Sequence, residues 1–212
     1  MKRILFIGDS ITDGNRGRDG DPNHELGHGY VFLIAAELGA ASPEAGKRVW
    51  INRGVSGHRV ADLYGRWEDD ALLHEPDIIS LLAGVNDVHA VVRNPRHASF
   101  HRFERTYRRI VEDTLELLPG VRFIVCEPFL LPAGWVRGEY AAWEPRMREA
   151  QRIVRRIADD YRLPFVPLQD AFDRACEQAP APYWLWDGIH PTPAGHALIK
   201  ERWLEVYRTI AL

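Results

Sequence analysis

Four short segments of the sequence carry side chains that could perform acyl-transfer chemistry. They are Gly8-Asp9-Ser10, Asn52 to Gly57, Gly84 to Asp87, and Asp187 to His190. A serine hydroxyl becomes a nucleophile when an imidazole accepts its proton, and the imidazole needs a carboxylate that fixes its tautomer and stabilises its charged form. We therefore predict Ser10 as the nucleophile, His190 as the general base and Asp187 as the carboxylate that orients the base.

The same segments contain candidate donors for the oxyanion that forms during acyl transfer. We predict that the backbone N–H groups of Ser10 and Gly57 and the side-chain amide of Asn86 form this oxyanion hole. A glycine at position 57 is consistent with this role, because a backbone N–H can then approach the substrate with no Cβ in the way.

Three further residues are candidates for contact with the substrate. Trp184 and Trp186 stand beside the predicted aspartate, where they could stack on a sugar or pack in a subunit interface. Asp9 precedes the nucleophile, and its carboxylate could contact the substrate or complement a helix N-terminus. We expect a homo-oligomer that acts on a small-molecule ester or an acetylated oligosaccharide.

Strands and helices in alternation must position these segments. Continuous apolar runs predict buried strands, and the amphipathic segments between them predict helices. The predicted strands are Ile4–Ile7, Val49–Ile51, Ile78–Ala83, Val121–Cys126 and Phe165–Val166, and the predicted helices lie near Tyr30–Leu38, Val60–Leu73, Phe103–Leu118, Arg146–Tyr161 and Ala194–Tyr207. This order predicts one domain over residues 1–212, a three-layer α/β/α sandwich around a five-stranded parallel sheet.

The predicted site lies at the carboxyl ends of the strands, where parallel sheets collect ligands. Two long polar segments, Gly14–Gly29 and Val88–Ser99, follow strand ends and are predicted to be rim loops. Thr192 and Pro193, just after the predicted base, are predicted to be the N-cap and first position of the last helix. Several histidines lie in or beside the rim loops, without the spacing of a metal site; they are His24, His28, His89, His97 and His101.

Composition excludes several classes of protein. The 212-residue chain has a formal net charge of −3, so it lacks the basic footprint that nucleic-acid binding requires. The apolar run at the start is too short for a signal peptide or a membrane span. Cys126 and Cys176 are far apart and are predicted to be free thiols. We therefore expect a cytoplasmic protein without cofactor or metal that binds neither nucleic acid nor membranes.

Taken together, GDSIT, NRGVSG, GVND and DGIHP resemble, in order and spacing, the four sequence blocks of the SGNH hydrolases, also called GDSL esterases. The resemblance implies a flavodoxin-like α/β fold, hydrolysis through an acyl-serine, and the roles given above for Ser10, Gly57, Asn86, Asp187 and His190. Within this family the sequence is most similar to intracellular carbohydrate esterases that deacetylate xylan fragments. The similarity rests on ITDGNR, GHGYV, RWEDD, GVNDV and WLWDGIHP.

Three alternatives remain open at this point. The first is a lysophospholipase or thioesterase of the same family. The second is a metal-dependent phosphoesterase built from Asp9, Asp187, His190 and His196, although His196 is otherwise predicted to be structural. The third is a non-catalytic carbohydrate-binding module that uses the tryptophans. A phosphate-binding loop is excluded, because GDSITDG lacks the G-x-x-x-x-G-K-[ST] pattern and its lysine.

Overall fold

Strands and helices alternate along the chain, as the apolar and amphipathic segments predict. The computed structural model describes residues 2–41, 48–96 and 98–210. The strands are β1 (Lys2–Gly8), β2 (Arg48–Gly54), β3 (Ile78–Leu82), β4 (Arg122–Cys126) and β5 (Phe165–Val166). The helices are α1 (Ser10–Asp13), α2 (Tyr30–Ala41), α3 (Val60–Tyr64), α4 (Trp67–Asp70), α5 (Val85–Arg93), α6 (Phe100–Leu117), α7 (Tyr140–Asp160), α8 (Gln169–Ala175), α9 (Ala181–Trp184) and α10 (Pro193–Ile210), with 3₁₀ turns at Leu72–His74 and Gly134–Glu139.

The five strands described form one parallel sheet in the order β2-β1-β3-β4-β5. Strand β1 pairs with β2 on one side, where Gly8 lies opposite Gly54, and with β3 on the other, where Gly8 lies opposite Leu82. This is the flavodoxin-like strand order, in which the direction of winding reverses between β1 and β3. The predicted fold class is therefore confirmed, and the first strand ends at the point where such sheets bind ligands.

Helices cover both faces of the sheet. On one face, Phe6 of β1 packs on Trp203 of α10 with ring centroids 5.2 Å apart, and the Trp203 indole N–H donates to Ser80 Oγ of β3 at 2.9 Å. Trp67 of α4 stacks on Phe123 of β4 with centroids 6.1 Å apart. Ser80 pairs with the residue after Phe123, and successive side chains alternate, so the two tryptophans lie on opposite faces. This confirms the predicted three layers.

One predicted rim loop is wrong over half of its length. The first half of Val88–Ser99, up to Arg93, belongs to α5, which begins at Val85, shortly after β3. Its polar first turn, with Asn86 and Asp87, is typical of a loop, but Val85 and Val88 are both buried at helical spacing. The other predicted rim loop, Gly14–Gly29, is indeed irregular. His97, one of the histidines noted in or beside the rim loops, lies outside the described residues.

Two predicted helices have different bounds in the structure. The predicted helix Val60–Leu73 is divided into α3, α4 and the turn Leu72–His74. The predicted helix Arg146–Tyr161 belongs to α7, which begins earlier, at Tyr140, and contains Pro145 near its start. Pro145 lies beyond the first turn of α7, so it lacks the N–H that would donate to the Ala141 carbonyl, and the helix continues past it with this one hydrogen bond missing. None of the helices in the described segments combines the length and the apolar run needed to cross a bilayer.

The short helix α1 lies directly against the end of β2. Asn52 Nδ2 donates to the carbonyl of Thr12 at 2.8 Å, and Asn52 Oδ1 accepts the N–H of Gly54 at 2.9 Å. A Cβ on Gly54 would lie within 2.6 Å of Asp13 Cα. The backbone of α1, which begins at Ser10, can therefore reach this position only because residue 54 has no side chain.

We predict that Gly54→Ala lowers the free energy of unfolding by about 1–3 kcal/mol, because the added methyl group forces the α1 backbone away from β2. Chemical denaturation with wild-type and variant protein measures this change. Gly39→Ala in α2 is the matched control, since a Cβ there meets no atom within 4 Å. A Gly54→Ala variant as stable as this control would contradict the close approach of α1 and β2.

Candidate active site

Ser10, His190 and Asp187 form a continuous chain of hydrogen bonds at the carboxyl edge of the sheet. Ser10 Oγ lies 3.0 Å from His190 Nε2, and His190 Nδ1 lies 2.7 Å from Asp187 Oδ2. Ser10 and His190 are half-buried, whereas Asp187 is buried. Segments from opposite ends of the chain thus bring a hydroxyl, an imidazole and a carboxylate into the arrangement that activates a serine nucleophile.

Ser10 is the first residue of α1, directly after β1. The preceding residue, Asp9, is the N-cap of this helix, and its Oδ1 accepts the N–H of Ile11 at 3.0 Å. Burial raises the pKa of Asp9 to about 6, although the Ile11 N–H and the positive charge of His190 oppose this shift. Asp9 is only 1% exposed. Its carboxylate therefore contacts the helix N-terminus, which is one of the two partners predicted for it.

Asp187 is held by four donors. Its Oδ1 accepts the backbone N–H groups of Ile189 at 2.9 Å and His190 at 2.7 Å. Its Oδ2 accepts the His190 ring N–H and, at 3.3 Å, the indole N–H of Trp135. Burial by itself would raise the pKa of Asp187, but the hydrogen bonds from His190 and Ile189 lower it to about 2. In return, the hydrogen bond to Asp187 raises the pKa of His190 above its usual value.

The segment that carries His190 is fixed at both ends. Leu185 forms an antiparallel bridge with Pro191, and the backbone N–H of Trp186 donates to the His190 carbonyl at 3.1 Å. Thr192 caps α10 as predicted, since its Oγ1 accepts the N–H of Gly195 at 3.2 Å. The imidazole thus stands on a short, closed turn, which limits its movement relative to the serine.

The predicted oxyanion donors lie on segments that are tied to one another. Gly57 has a φ of +82°, a conformation that favours glycine. On one side of it, the Ser56 N–H donates to Asp13 Oδ2 of α1 at 3.1 Å. On the other side, Asn86 Nδ2 donates to the carbonyl of His58 at 3.1 Å. The loop that carries Gly57 is therefore anchored both to the helix of Ser10 and to the helix of Asn86.

A small cavity opens beside Ser10. It has a volume of about 260 Å³, and its lining includes Ser10, Asn15, Ser56, Trp186, His190 and His196. The Trp186 ring is stacked on His190 with centroids 6.0 Å apart, and its side chain is 60% exposed. Trp184 is half-buried and its indole N–H donates to the carbonyl of Ala179 at 3.2 Å. Of the two predicted tryptophans, only Trp186 lines this cavity.

Sequence reasoning missed Trp135. This residue lies in the turn Gly134–Glu139, far in sequence from the aspartate to which it donates its indole N–H. Its side chain is 44% exposed and packs edge-to-face on Trp143, with centroids 5.2 Å apart. Trp135 follows the end of β4, and strand ends are where site residues are expected in this fold. That position is the one signal that could have identified it.

The histidines of the predicted rim loops are dispersed. His24 is exposed and lies 3.4 Å from Asp21, whereas His28 borders the cavity beside Ser10. His89 belongs to α5 and stacks on Trp143. Within the described residues, no group of three His, Cys, Asp or Glu side chains has the arrangement of a metal site. The grouping that a metal-dependent phosphoesterase would require is therefore not formed there.

Comparisons with known proteins agree with this geometry. The model of the GDSL-like lipase/acylhydrolase family matches residues 6–198. The sequence is 35% identical over 209 residues to the acetylxylan esterase of Geobacillus stearothermophilus, an alignment that covers 96% of this chain and 92% of the esterase. The chain therefore belongs to the GDSL-like lipase/acylhydrolase family, as its four sequence blocks predict. It is a carboxylic ester hydrolase.

Solved structures give the same result. A crystal structure of the Geobacillus stearothermophilus acetylxylan esterase has a TM-score of 0.84 and 33% identity, covering 97% of this chain and 93% of that one. A protein from Parabacteroides merdae with the provisional description of a GDSL-like lipase has a TM-score of 0.90 and 36% identity, with 97% and 94% coverage. Because the chain is an ester hydrolase, the alternative of a non-catalytic binding module is wrong, and nothing supports a phosphoesterase.

We predict that kcat/KM falls as the pH decreases through an apparent pKa above about 6.5, the usual value for histidine. The base must be neutral to accept the serine proton, and the hydrogen bond to Asp187 stabilises the protonated ring, which raises the pKa of His190. Profiles of nitrophenyl acetate hydrolysis between about pH 5 and pH 9 measure this limb. A profile that stays flat across this range would contradict His190 as the base.

We also predict that Trp135→Phe lowers kcat about 3- to 10-fold, because Asp187 loses one of its four donors while the other three remain. The acid limb should move to higher pH, since a carboxylate with fewer donors stabilises the charged imidazole more strongly. Trp184→Phe makes the same chemical change at an indole that donates to a backbone carbonyl, and serves as the control. Identical profiles for the two variants would exclude a role for the Trp135 indole N–H.

Proposed function

We propose that this chain is a serine esterase that removes short acyl groups, chiefly acetyl, from acetylated sugars such as xylo-oligosaccharides through an acyl-serine intermediate. The observation that carries the proposal is the hydrogen-bonded chain from Ser10 through His190 to Asp187, beside a small cavity with polar walls. The acetylxylan esterase to which the chain is 35% identical supports the choice of substrate.

The reaction begins with proton transfer from the nucleophile. His190 Nε2 accepts the proton of Ser10 Oγ as the oxygen attacks the carbonyl carbon of the ester, and the carbonyl electron pair moves to the oxygen. His190 becomes positively charged, and the carboxylate of Asp187, whose pKa is lowered to about 2, remains ionised beside it. The charge that develops on the imidazole is thus stabilised by a partner already in contact with it.

The tetrahedral oxyanion is stabilised by three donors on separate segments. Within the described residues, the backbone N–H groups of Ser10 and Gly57 donate no hydrogen bond to the protein, so they are available to a ligand. Asn86 Nδ2 uses one hydrogen for the His58 carbonyl and retains the other. These are the donors that the sequence predicts, and their preorganisation supports the oxyanion hole of this proposal.

The intermediate then breaks down in two stages. The bond between the carbonyl carbon and the alcohol oxygen breaks, and His190 returns its proton to that oxygen, so the alcohol leaves and acyl-Ser10 remains. Water next attacks the acyl carbon while His190 accepts one of its protons. The bond to Ser10 Oγ breaks, the proton returns to this oxygen, and the acid is released.

The walls of the site favour a small acyl group on a hydroxyl-rich alcohol. The cavity of about 260 Å³ is smaller than most ligand pockets, which measure roughly 300–1,000 Å³. A long acyl chain in this cavity would cover polar side chains, including those of Asn15, Ser56 and His196. Their donors would then lack hydrogen-bond partners, which costs binding free energy. Trp186 at the rim offers an exposed ring face on which a sugar could stack.

The test is a series of esters with one leaving group. We predict that kcat/KM decreases steeply from nitrophenyl acetate to butyrate and octanoate. A methylene that does not fit the site raises the activation free energy by roughly 1–3 kcal/mol. Acetate release from peracetylated xylose and xylo-oligosaccharides measures the sugar preference. Ser10→Ala is the control, with kcat lowered roughly 10³- to 10⁶-fold, and a chelator should change nothing.

Two results would contradict the proposal. If octanoate were the best ester and the acetylated sugars were inert, the enzyme would be a lipid or thioester hydrolase of the same family. If folded Ser10→Ala kept more than about a tenth of the wild-type kcat, the hydroxyl of Ser10 would not be the nucleophile.

A further inference from the structure

A second histidine faces the cavity beside Ser10, and the reaction described above does not use it. His196 lies in the first turn of α10 and is only 7% exposed. It lines the same cavity as Ser10 and His190. A buried imidazole next to a reaction site requires partners for both ring nitrogens, because an unpaired buried polar group is costly.

One ring nitrogen of His196 is already bonded to the protein. The backbone N–H of Tyr30, the first residue of α2, donates to His196 Nδ1 at 3.2 Å. A nitrogen that accepts a hydrogen bond has a lone pair, so in the neutral ring the proton must be on Nε2. Burial, together with repulsion from the protonated forms of His28 and His190, lowers the pKa of His196 to about 4. At neutral pH the ring is therefore an uncharged donor through Nε2.

The position of this donor is rigid. The His196 ring stacks on the ring of Tyr30 with an interplanar angle of 19°, and the Tyr30 hydroxyl bonds to Thr12 Oγ1 at 2.9 Å. A Cβ on Gly29 would lie only 2.9 Å from His196 Cε1, so the backbone also packs closely on the ring. These contacts fix the direction of the Nε2–H bond before any ligand binds.

The remaining nitrogen is free to bind a ligand. His196 Nε2 has no hydrogen-bond partner among the described residues. Among the same residues, the only fully buried side-chain polar atom without a partner is the hydroxyl of Tyr107, so His196 Nε2 is accessible from the cavity. An acetyl group offers one strong acceptor, its carbonyl oxygen. The three donors proposed for this oxygen are the N–H of Ser10 itself and the groups of Gly57 and Asn86, which do not line this cavity. An oxygen that reaches His196 while these donors bind the carbonyl oxygen therefore belongs to the alcohol.

We propose that His196 is a specificity-determining residue whose Nε2–H donates a hydrogen bond to a hydroxyl or ring oxygen of the sugar that carries the acyl group. This inference rests on the proposed function, since it requires an alcohol with further oxygen atoms near the ester. It assigns the part of the cavity next to His196 to the leaving group and explains why a neutral histidine lines the same cavity as the catalytic one.

The experiment compares two sugars in three proteins. The substrates are an acetylated methyl xyloside with a free hydroxyl beside the acetyl group and the matching deoxy compound. His196→Asn retains an acceptor for the Tyr30 N–H but removes the Nε2 donor, whereas His196→Gln retains a donor near the position of Nε2. We expect the wild type to prefer the hydroxyl compound about tenfold or more, His196→Asn to lose most of this preference, and His196→Gln to recover part of it.

Nitrophenyl acetate and labelling of Ser10 by a fluorophosphonate report on folding and on the reaction centre independently of the sugar. If the wild type hydrolyses both sugars equally well, or if labelled, folded His196→Asn keeps the full preference, the role of His196 is overturned while the proposed function stands. If the wild type hydrolyses nitrophenyl acetate but neither sugar, the proposed function fails. If His196→Asn does not fold, two other results test the role of His196. Equal hydrolysis of the two sugars by the wild type, or the full wild-type preference in folded His196→Gln, overturns it.

Discussion

The hydrogen bond between His190 Nδ1 and Asp187 Oδ2 is the interaction on which the site depends. It places the ring proton on Nδ1, so that the lone pair of Nε2 points to Ser10 Oγ, and it raises the pKa of the imidazole. The bond is well defined because backbone amides of the same turn and the Trp135 indole occupy the other acceptor positions of the carboxylate. A buried carboxylate with all its acceptor positions occupied has little freedom to rotate away from the imidazole.

The remainder of the fold brings this turn to the serine. Residues 10, 57, 86 and 187–190 are distant in sequence, and closing the loops between them costs conformational entropy. A parallel sheet with helices on both faces offsets this cost, because each strand ends at the same edge while its side chains are buried on both sides. Local bonds then complete the assembly: Asp13 joins α1 to the loop before Gly57, and Asn86 joins the same loop to α5.

The pKa values of the two histidines that line the cavity, His190 and His196, shift in opposite directions because the two rings have different partners. His190 contacts a carboxylate, which stabilises the charged ring and raises its pKa. His196 is more deeply buried, which together with repulsion from the charged forms of nearby histidines lowers its pKa. It also accepts a backbone N–H, which requires a lone pair on Nδ1. The first environment suits a group that gains and loses a proton, and the second suits a fixed donor. In the proposed reaction, a titrating base and a neutral hydrogen-bond donor thus share a cavity of about 260 Å³.

Local patterns in the sequence determined the strands, the long helices α2, α6, α7 and α10, and the residues of the hydrogen-bonded chain. Apolar runs encode buried strands directly, and Asp187 and His190 are close enough in sequence for one turn to join them. The helix α5 was not predicted because its polar first turn conceals the buried Val85 and Val88. The contacts of Trp135 with Asp187, and of Tyr30 with His196, exist only in the tertiary structure. They depend on how helices and turns pack over the sheet, and packing between distant residues leaves no periodic signal in the sequence.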